Sequence, residues 1–201
     1  MKTRDSGMPD QVWWETFFDP DAIFDALDLR DIQGVTIDIG CGYGTFTVAI
    51  AKRTTHPVIG IDIDPAMVAQ TQERAHALGL RHVSARLLDA TTASFGVAAG
   101  STDLILIFNL LHCERPADLV QSAATALRPG GRLAAIHWRR DMQTPRGPDL
   151  SIRPSPEEMS GLLRDAGFQI SRDPVILPPF HVGLVGTRMG PMAVDHILVH
   201  G

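Results

Sequence analysis

The feature that most constrains this chain is the glycine-rich stretch Asp38-Ile39-Gly40-Cys41-Gly42-Tyr43-Gly44. It follows the strand-like run Val35-Thr36-Ile37 and precedes a helix-like run from Thr45 to Ala51. Glycine opens backbone conformations that are closed to residues with a Cβ, and it lets a ligand approach the main chain closely. The next helix then begins with free N–H groups facing the ligand. The stretch predicts a strand, a ligand-binding turn and a helix, although a three-glycine turn alone is weakly specific.

Two acids lie one β-α-β repeat later, at the end of the β-branched run Val58-Ile59-Gly60-Ile61-Asp62-Ile63-Asp64. An acid at the end of the second strand is placed to accept hydrogen bonds from both ribose hydroxyls, which is the role predicted for Asp62. Asp64 precedes Pro65, and this pair predicts a helix N-cap with proline at the first helical position. The two acids therefore divide into a predicted ligand residue and a predicted cap.

Strand-like runs alternate with helical stretches along most of the chain. The predicted strands are 35–39, 58–63, 83–88, 103–108 and 132–138. This alternation favours an α/β fold with a parallel sheet covered on both faces. Ligands bind such sheets at the carboxyl ends of the strands, which is where the glycine turn, Asp62, Asp89 and Asn109 fall.

The end of the chain predicts a helix and two further strands. Ser155-Pro156-Glu157-Glu158 has the composition of a capping box and opens a helix that ends at Gly167. Gln169 to Leu177 and Val182 to Thr187 are strand candidates joined by Pro178-Pro179. We expect them to form an antiparallel hairpin that closes the sheet. The tail 189–201 has no clear assignment.

Composition limits the classes of protein to which the chain can belong. Its 201 residues suit one domain, and 44% apolar residues with a net charge of -5 describe an ordinary globular protein. A mildly acidic surface argues against broad nucleic-acid contact. No run reaches ~18 apolar residues, and the first ten residues lack a signal-peptide core, so we expect a cytoplasmic protein without membrane contact. With only two cysteines, Cys41 and Cys113, we expect no metal site.

The ordered motifs resemble those of the class I S-adenosylmethionine (SAM) dependent methyltransferases, in particular the small bacterial proteins of the methyltransferase-domain type. The resemblance runs from about Val35 to Phe168. Its marks are the glycine turn, Asp62, Asp89 after the third strand, Asp103-Leu104-Ile105-Leu106 with Asn109 at the fourth, and Leu127-Arg128-Pro129-Gly130-Gly131 before the fifth. It implies a doubly wound, mostly parallel seven-stranded sheet of the Rossmann-like methyltransferase fold, closed by an antiparallel C-terminal hairpin.

The resemblance also implies a cofactor and the residues that contact it. In that family the glycine turn packs against the methionine and ribose portions of SAM, and S-adenosylhomocysteine is the product. The Asp62 position binds ribose, the Asp89 position binds the adenine amino group, and the Asn109 region lines the transfer site. The expected cofactor contacts are Asp38, Gly40, Cys41, Gly42, Gly44, Asp62, Ile63, Asp89, Ala90 and Asn109.

Methyl transfer needs a base only if the acceptor must lose a proton, since orientation and desolvation supply most of the acceleration. His112, just past the fourth strand, and His137, at the end of the fifth, are the histidines best placed for that role. The alternative for each is a hydrogen-bonded structural histidine. Asn109-Leu110-Leu111-His112 departs from the Asn-Pro-Pro-aromatic signature of amino-group DNA methylation. We therefore expect a small-molecule acceptor and no nucleic-acid partner, with the oligomeric state open.

The predicted domain, 1–201, has four parts: a helical cap (1–30), a cofactor-binding core (31–138), a substrate-side loop (139–154) and a C-terminal helix, hairpin and tail (155–201). The aromatic run from Trp13 to Phe18 either packs the cap onto the sheet or supplies a lid through Trp14 or Phe17 that excludes water. Arginines crowd the segment around the loop and indicate either a solvated surface or a site for an anionic group of the substrate. They are Arg128, Arg132, Arg139, Arg140, Arg146 and Arg153.

Two other functional classes remain open at this point. A dinucleotide-dependent oxidoreductase would require its third glycine at position 45, where the chain has Thr45. A non-catalytic domain that binds SAM or its product, as a sensor or as a partner subunit, would keep the same cofactor residues.

Overall fold

The computed structural model describes residues 8–91 and 94–190. Two short helices come first, and strands and helices then alternate up to a final antiparallel region. The elements are α1 (Gln11–Glu15), α2 (Pro20–Ala26), β1 (Val35–Ile39), α3 (Thr45–Ala51), β2 (Val58–Asp62), α4 (Pro65–Ala77), β3 (Val83–Leu87), β4 (Thr102–Phe108), α5 (Pro116–Ala126), β5 (Leu127–Trp138), α6 (Pro156–Asp165), β6 (Phe168–Gln169), β7 (Val175–Leu177) and β8 (His181–Arg188).

All eight strands belong to one sheet with the order β3-β2-β1-β4-β5-β8-β6, and β7 also pairs with β8. Strands β1 to β5 are parallel, whereas β8 runs antiparallel to β5, β6 and β7. Every residue of the central strand β4 is buried, as expected for a strand covered on both faces. One face packs against α5 and α6, and the other packs against α2 and α3. The predicted α/β fold with a mostly parallel sheet is confirmed.

Local sequence signals set the starts of several helices. The Asp64 carboxylate accepts from the Ala66 N–H, with Pro65 at the first helical position of α4. Asp19 caps α2 in the same way, and Ser155 with Glu158 forms the predicted capping box of α6. These predictions depended only on short-range spacing, and the structure confirms them.

Two predicted strand boundaries were wrong. The strand predicted over 169–177 is interrupted, because only Phe168–Gln169 and Val175–Leu177 pair with β8. Pro174 lies in the gap, where it has no N–H to donate to a sheet ladder. Strand β5 begins at Leu127 and not at 132, with a register shift opposite Thr102 to Leu104.

The sheet brings the predicted site to one edge. The carboxyl ends of β1, β2, β4 and β5 all lie there because these strands are parallel, and antiparallel β8 starts at the same edge, with His181 opposite Trp138. Of the tail 189–201, only Met189 and Gly190 belong to the described residues. None of the helices in the described ranges is both long and apolar enough to cross a bilayer.

Candidate functional site

The glycine turn forms a tight cradle after β1. Gly40, Gly42 and Gly44 have φ values of 74°, 54° and 73°, in the left-handed region that favours glycine. A Cβ on Gly44 would lie 2.9 Å from the Thr71 hydroxyl oxygen, so the turn packs closely on α4. Thr71 Oγ1 also donates to the Gly42 carbonyl at 2.8 Å. The turn is a fixed surface of main-chain groups at the start of α3.

The Asp62 carboxylate connects the turn to the end of β2. It is only 6% exposed, and its Oδ2 accepts from the Gly42 N–H at 2.9 Å while Oδ1 accepts from the Asp64 N–H at 2.9 Å. Burial raises the pKa of Asp62, and these main-chain hydrogen bonds oppose that shift. Each carboxylate oxygen keeps lone pairs for a second donor. The arrangement therefore suits a pair of ligand hydroxyls.

Asp38 and Cys41 lie behind the cradle. Asp38 is buried and accepts a 2.6 Å hydrogen bond from the Thr47 hydroxyl, while burial and, more weakly, the charge of Asp62 raise its pKa to about 6. Burial also raises the pKa of the Cys41 thiol, which therefore stays protonated and is no nucleophile. Two neighbouring buried carboxyl groups make this region attractive to a cationic ligand.

Asp89, Ala90 and Ile63 lie near the same edge. The Leu88 N–H donates to the Asp62 carbonyl at 2.9 Å, which ties the segment after β3 to the end of β2. The Asp89 Oδ1 atom accepts from the main chain and the hydroxyl of Thr91 at 2.9 and 2.6 Å. Ala90 is buried in the core, and Ile63 is half-buried. The structure therefore places these predicted cofactor residues next to Asp62.

Asn109 follows β4 in a left-handed conformation with a φ of 58°. Its N–H donates to the Ile136 carbonyl at 2.8 Å. Its side-chain Oδ1 and Nδ2 atoms are buried and find no hydrogen-bond partner within residues 8–91 and 94–190. Buried unpaired amide groups and strained backbone are both costly, and they are frequent where a ligand completes the site.

The two predicted catalytic histidines contact each other. His112 Nδ1 lies 3.1 Å from His137 Nε2, and His137 Nδ1 lies 3.2 Å from the Trp138 carbonyl. His137 is fully buried, and burial lowers its pKa to about 3, with a further contribution from the nearby His112 and Arg153. His112 is half-buried, and burial, then Arg153, lowers its pKa as well. Both side chains are therefore neutral at pH 7.

A third histidine, His181, was not among the predicted site residues. It is fully buried, its ring lies 4.7 Å from Phe18 and 4.2 Å from Trp138, and its nitrogens have no hydrogen-bond partner among the described residues. Strand pairing with Trp138 brings His181 to the site edge. The sequence signal was its position directly before the last predicted strand, Val182 to Thr187, and that position gains meaning only once the strand pairing is known.

The N-terminal strap, residues 8–18, lies across the glycine turn. Tyr43 donates its hydroxyl to the Pro9 carbonyl at 2.7 Å. Glu15 forms an ion pair with Arg74 of α4 and accepts from the Thr45 hydroxyl at 3.2 Å. A Cβ on Gly42 would lie 3.1 Å from the Met8 methyl carbon. The strap is therefore held to the turn, to α3 and to α4 at once.

Aromatic side chains of the strap pack on the end of β5. Phe17 is 4% exposed and lies 5.4 Å from the Trp138 ring, whereas Trp14 is half-buried and lies 4.8 Å from Phe18. The predicted substrate-side loop, 139–154, also packs on Trp138, since a Cβ on Gly147 would lie 2.8 Å from that ring. The strap and the loop thus meet at Trp138.

The arginines that crowd one segment of the sequence are dispersed in space. Arg128 pairs with Asp103, and Arg132 donates to the carbonyls of Asp28 and Arg30, all near the amino end of β5 and away from the site.

The loop arginines have partners of their own. Arg139 pairs with Asp141, and Arg140 pairs with Glu158. Arg153 differs because it is only 4% exposed and follows a 3-10 turn, Leu150–Ile152, inside the predicted loop. It donates to the carbonyls of Pro148 and Arg139 at 2.8 Å. Arg153 is therefore a buried cation held by main-chain carbonyls of its own loop.

The chain is similar to known methyltransferases. A family model described as a methyltransferase domain matches residues 36–131. A probable S-adenosylmethionine-dependent methyltransferase of Mycolicibacterium smegmatis is 27% identical over 173 residues, covering 82% of this chain and 62% of that relative. Across several curated relatives, the matched part of the chain spans between 30% and 62% of their length.

Solved structures share the fold. A SAM-dependent methyltransferase from Aquifex aeolicus superposes with a TM-score of 0.76 at 22% identity, covering 86% of this chain and 91% of that one. Geranyl diphosphate C-methyltransferase from Streptomyces coelicolor superposes with a TM-score of 0.69 at 17% identity, covering 85% of this chain and 75% of that one. That structure contains Mg²⁺, geranyl-S-thiolodiphosphate and S-adenosyl-L-homocysteine.

Proposed function

Because the chain belongs to the class I S-adenosylmethionine-dependent methyltransferases, we propose that it transfers a methyl group from SAM to a small-molecule acceptor. The observation that carries this proposal is the buried Asp62 carboxylate, which is hydrogen-bonded to the glycine turn at the carboxyl edge of the sheet. SAM combines a ribose diol with a sulfonium and an ammonium cation. A buried acid can accept hydrogen bonds from the ribose diol and can attract the two cations, while the main-chain cradle lets the ligand approach closely.

The residues present fit the cofactor. The left-handed φ values of Gly40, Gly42 and Gly44 let the main chain form the cradle, and Asp62 has free lone pairs for the ribose hydroxyls. Asp89 and Ala90 would contact the adenine, and the unpaired Asn109 amide would face the transfer site. Asp38, Cys41 and Ile63 complete the proposed set. When bound, SAM supplies an activated methyl group whose C–S bond breaks with its electron pair staying on sulfur.

The chain's own contribution is to orient the reactants and to exclude water. Deeply buried strands fix the positions of Asp62 and Asn109, so little reorganisation is needed when a ligand binds. The substrate-side loop, 139–154, and the N-terminal strap both pack at the site edge, where they would shield it from solvent. We propose on this basis that the chain divides into a helical cap (1–30), a cofactor-binding core (31–138), a substrate-side loop (139–154) and a C-terminal part (155–201).

Several observations support a small acceptor. The strap and the loop both pack on Trp138 at the site edge. Among the described residues, Arg128, Arg139 and Arg140 each pair with an acid and do not form a basic stripe for a nucleic-acid backbone. The Streptomyces coelicolor neighbour contains a small diphosphate ligand beside S-adenosyl-L-homocysteine, which is consistent with this size of acceptor.

Calorimetric titration of the purified chain with SAM, S-adenosylhomocysteine and NAD tests the cofactor. We expect micromolar affinity for the first two and none for NAD. A screen for methyl transfer onto small metabolites then separates an enzyme from a non-catalytic SAM-binding domain. Binding of NAD alone would contradict the proposal and would redirect the search to redox substrates.

We also propose that the strap acts as a lid over bound SAM. Replacing Glu15 with alanine removes its ion pair with Arg74 and its hydrogen bond from Thr45. The dissociation rate of SAM, measured by stopped-flow fluorescence, should rise roughly tenfold, whereas stability should change by under ~1 kcal/mol because the ion pair is partly exposed.

Asp25→Ala is the matched control for the lid experiment. It removes an acid of α2 that pairs with Arg53 and makes no contact with the glycine turn. Its SAM dissociation rate should equal that of the unmodified chain. Equal dissociation rates in the Glu15 and Asp25 variants would argue that the strap is only a structural element.

A further inference from the structure

The hydrogen bonds of His137 fix the position of its proton. Its Nδ1 atom lies 3.2 Å from the Trp138 carbonyl, and a carbonyl oxygen can only accept a hydrogen bond. Nδ1 therefore carries the proton. In a neutral imidazole the other nitrogen is then an acceptor, so His137 Nε2 offers a lone pair to its neighbour.

The proton position of His112 follows from that of His137. His112 Nδ1 lies 3.1 Å from His137 Nε2 and must donate, since His137 Nε2 accepts. Neutral His112 then has its lone pair on Nε2. That atom has no hydrogen-bond partner within residues 8–91 and 94–190, and the side chain is only half-buried. His112 Nε2 is thus left free to accept a proton from a ligand.

The two histidines are not equivalent. His137 is 0% exposed and both its nitrogens are engaged, so it has no access to an acceptor molecule. Its low pKa, about 3, keeps it neutral at pH 7. If His112 gains a proton on Nε2, its Nδ1–H still donates to His137, and that hydrogen bond becomes charge-assisted. His137 therefore holds the ring of His112, and this hydrogen bond partly offsets the burial and the Arg153 charge that disfavour the charged form of His112.

The charges around the pair restrict the chemistry of the acceptor. Arg153 donates to the carbonyl of Arg139, two residues beyond His137, at 2.8 Å, and its positive charge lowers the pKa values of both histidines. The hydrogen bonds and ion pairs of the described residues give neither histidine a carboxylate partner. A positive guanidinium repels an ammonium group but stabilises an oxygen that becomes negative as it loses its proton. A histidine base also matches the acidity of a phenol or an enol far better than that of an aliphatic alcohol.

We propose that His112 is the general base, that His137 is the residue positioning it, and that the acceptor carries an acidic hydroxyl group such as a phenol or an enol. The hydroxyl proton moves to His112 Nε2 as the oxygen forms its bond to the methyl carbon. The C–S bond of SAM breaks with its electron pair staying on sulfur, which becomes a neutral thioether. This inference rests on the proposed methyl transfer from SAM.

The tautomers are tested without any substrate. Long-range ¹H–¹⁵N spectra of the ¹⁵N-histidine-labelled chain at pH 7 should show both His112 and His137 protonated on Nδ1, with assignments from His112→Gln and His137→Gln. In His137→Gln, His112 should shift toward the Nε2-protonated form. The exposed His76→Gln variant is the matched control and should leave both signals unchanged. If His112 is protonated on Nε2 in the unmodified chain, its Nε2 atom cannot accept the proton of the acceptor, and the proposed role of His112 is overturned.

The acceptor class is tested with a panel of phenols and 1,3-dicarbonyl enols, with anilines, alkylamines and aliphatic alcohols for comparison. We expect transfer only to the phenols or enols. His112→Gln should lower kcat by roughly 100-fold or more while the Kd for SAM stays within about twofold, because a general base contributes 10² to 10⁴. His137→Gln should lower kcat less and should change its pH profile.

The possible failures are distinguishable. If the unmodified chain does not bind SAM, the proposed function itself fails. If SAM binds and His112→Gln retains full kcat, methyl transfer stands and the general base is wrong. Transfer to amines or alcohols alone, or to no compound of the panel, contradicts the acceptor class.

Discussion

Replacing Asp62 with alanine is expected to raise the Kd for SAM by at least about 100-fold, since hydrogen bonds to a charged group contribute about 1.5–3 kcal/mol each. The carboxylate would receive the ribose hydroxyls, and it also fixes the Gly42 and Asp64 N–H groups at 2.9 Å. The variant therefore loses a contact with the ligand and also the two hydrogen bonds that hold the Gly42 and Asp64 main chain in place. Calorimetric titration with SAM and S-adenosylhomocysteine measures the effect.

The neighbouring acid provides the control for Asp62. Asp64→Ala removes a helix cap whose carboxylate accepts from the Ala66 N–H at 2.8 Å, so it should lower stability by about 1 kcal/mol. Its affinity for SAM should stay within a fewfold of the unmodified chain. Equal affinity losses in the two variants would mean that disorder of the segment, and not a ribose contact, explains the Asp62 result. Unchanged affinity in Asp62→Ala would contradict the assigned cofactor site.

The features that sequence predicted correctly are those encoded over short distances along the chain. Proline after an aspartate placed the starts of α2 and α4, and three glycines in seven residues predicted the turn after β1. The run from Leu104 to Phe108 lacks polar alternation and becomes part of a strand buried throughout. Each signal acts within one helical turn or one strand, so no knowledge of the fold was required.

The features that sequence missed depend on contacts between distant residues. Glu15 and Arg74 are 59 positions apart, and nothing local marks them as partners. His181 reaches the site only through its pairing with Trp138, and Arg153 becomes a buried cation only when its loop folds back on itself. The split of the predicted strand at 169–177 has a local cause in Ser171-Arg172-Asp173-Pro174, a polar stretch ending in a proline that the prediction did not treat as a break. The sequence indicated both His112 and His137 as candidate bases. Only their hydrogen bonds distinguish the proposed base, His112, from the residue proposed to position it, His137.

Replacing Gly44 with alanine should be among the most damaging single substitutions at the site. Gly44 has a φ of 73°, which costs an L-residue about 1–2 kcal/mol. The new Cβ would also lie 2.9 Å from Thr71 Oγ1 and 3.3 Å from Thr71 Cα, and the main-chain atom of α4 has little freedom to move. Such overpacking adds about 1–3 kcal/mol. We expect the free energy of unfolding, measured with urea, to fall by about 2–5 kcal/mol in total.

Gly79→Ala separates the two causes of this loss. Gly79 has nearly the same φ, 69°, but a Cβ there meets no atom within 4 Å. It should therefore show only the backbone cost of about 1–2 kcal/mol and should bind SAM normally. Gly44→Ala should exceed it in unfolding free energy and should also lose SAM affinity, because a shift of Thr71 breaks its 2.8 Å hydrogen bond to the Gly42 carbonyl. Equal losses in the two variants would show that the turn tolerates a side chain and would contradict its close packing on Thr71.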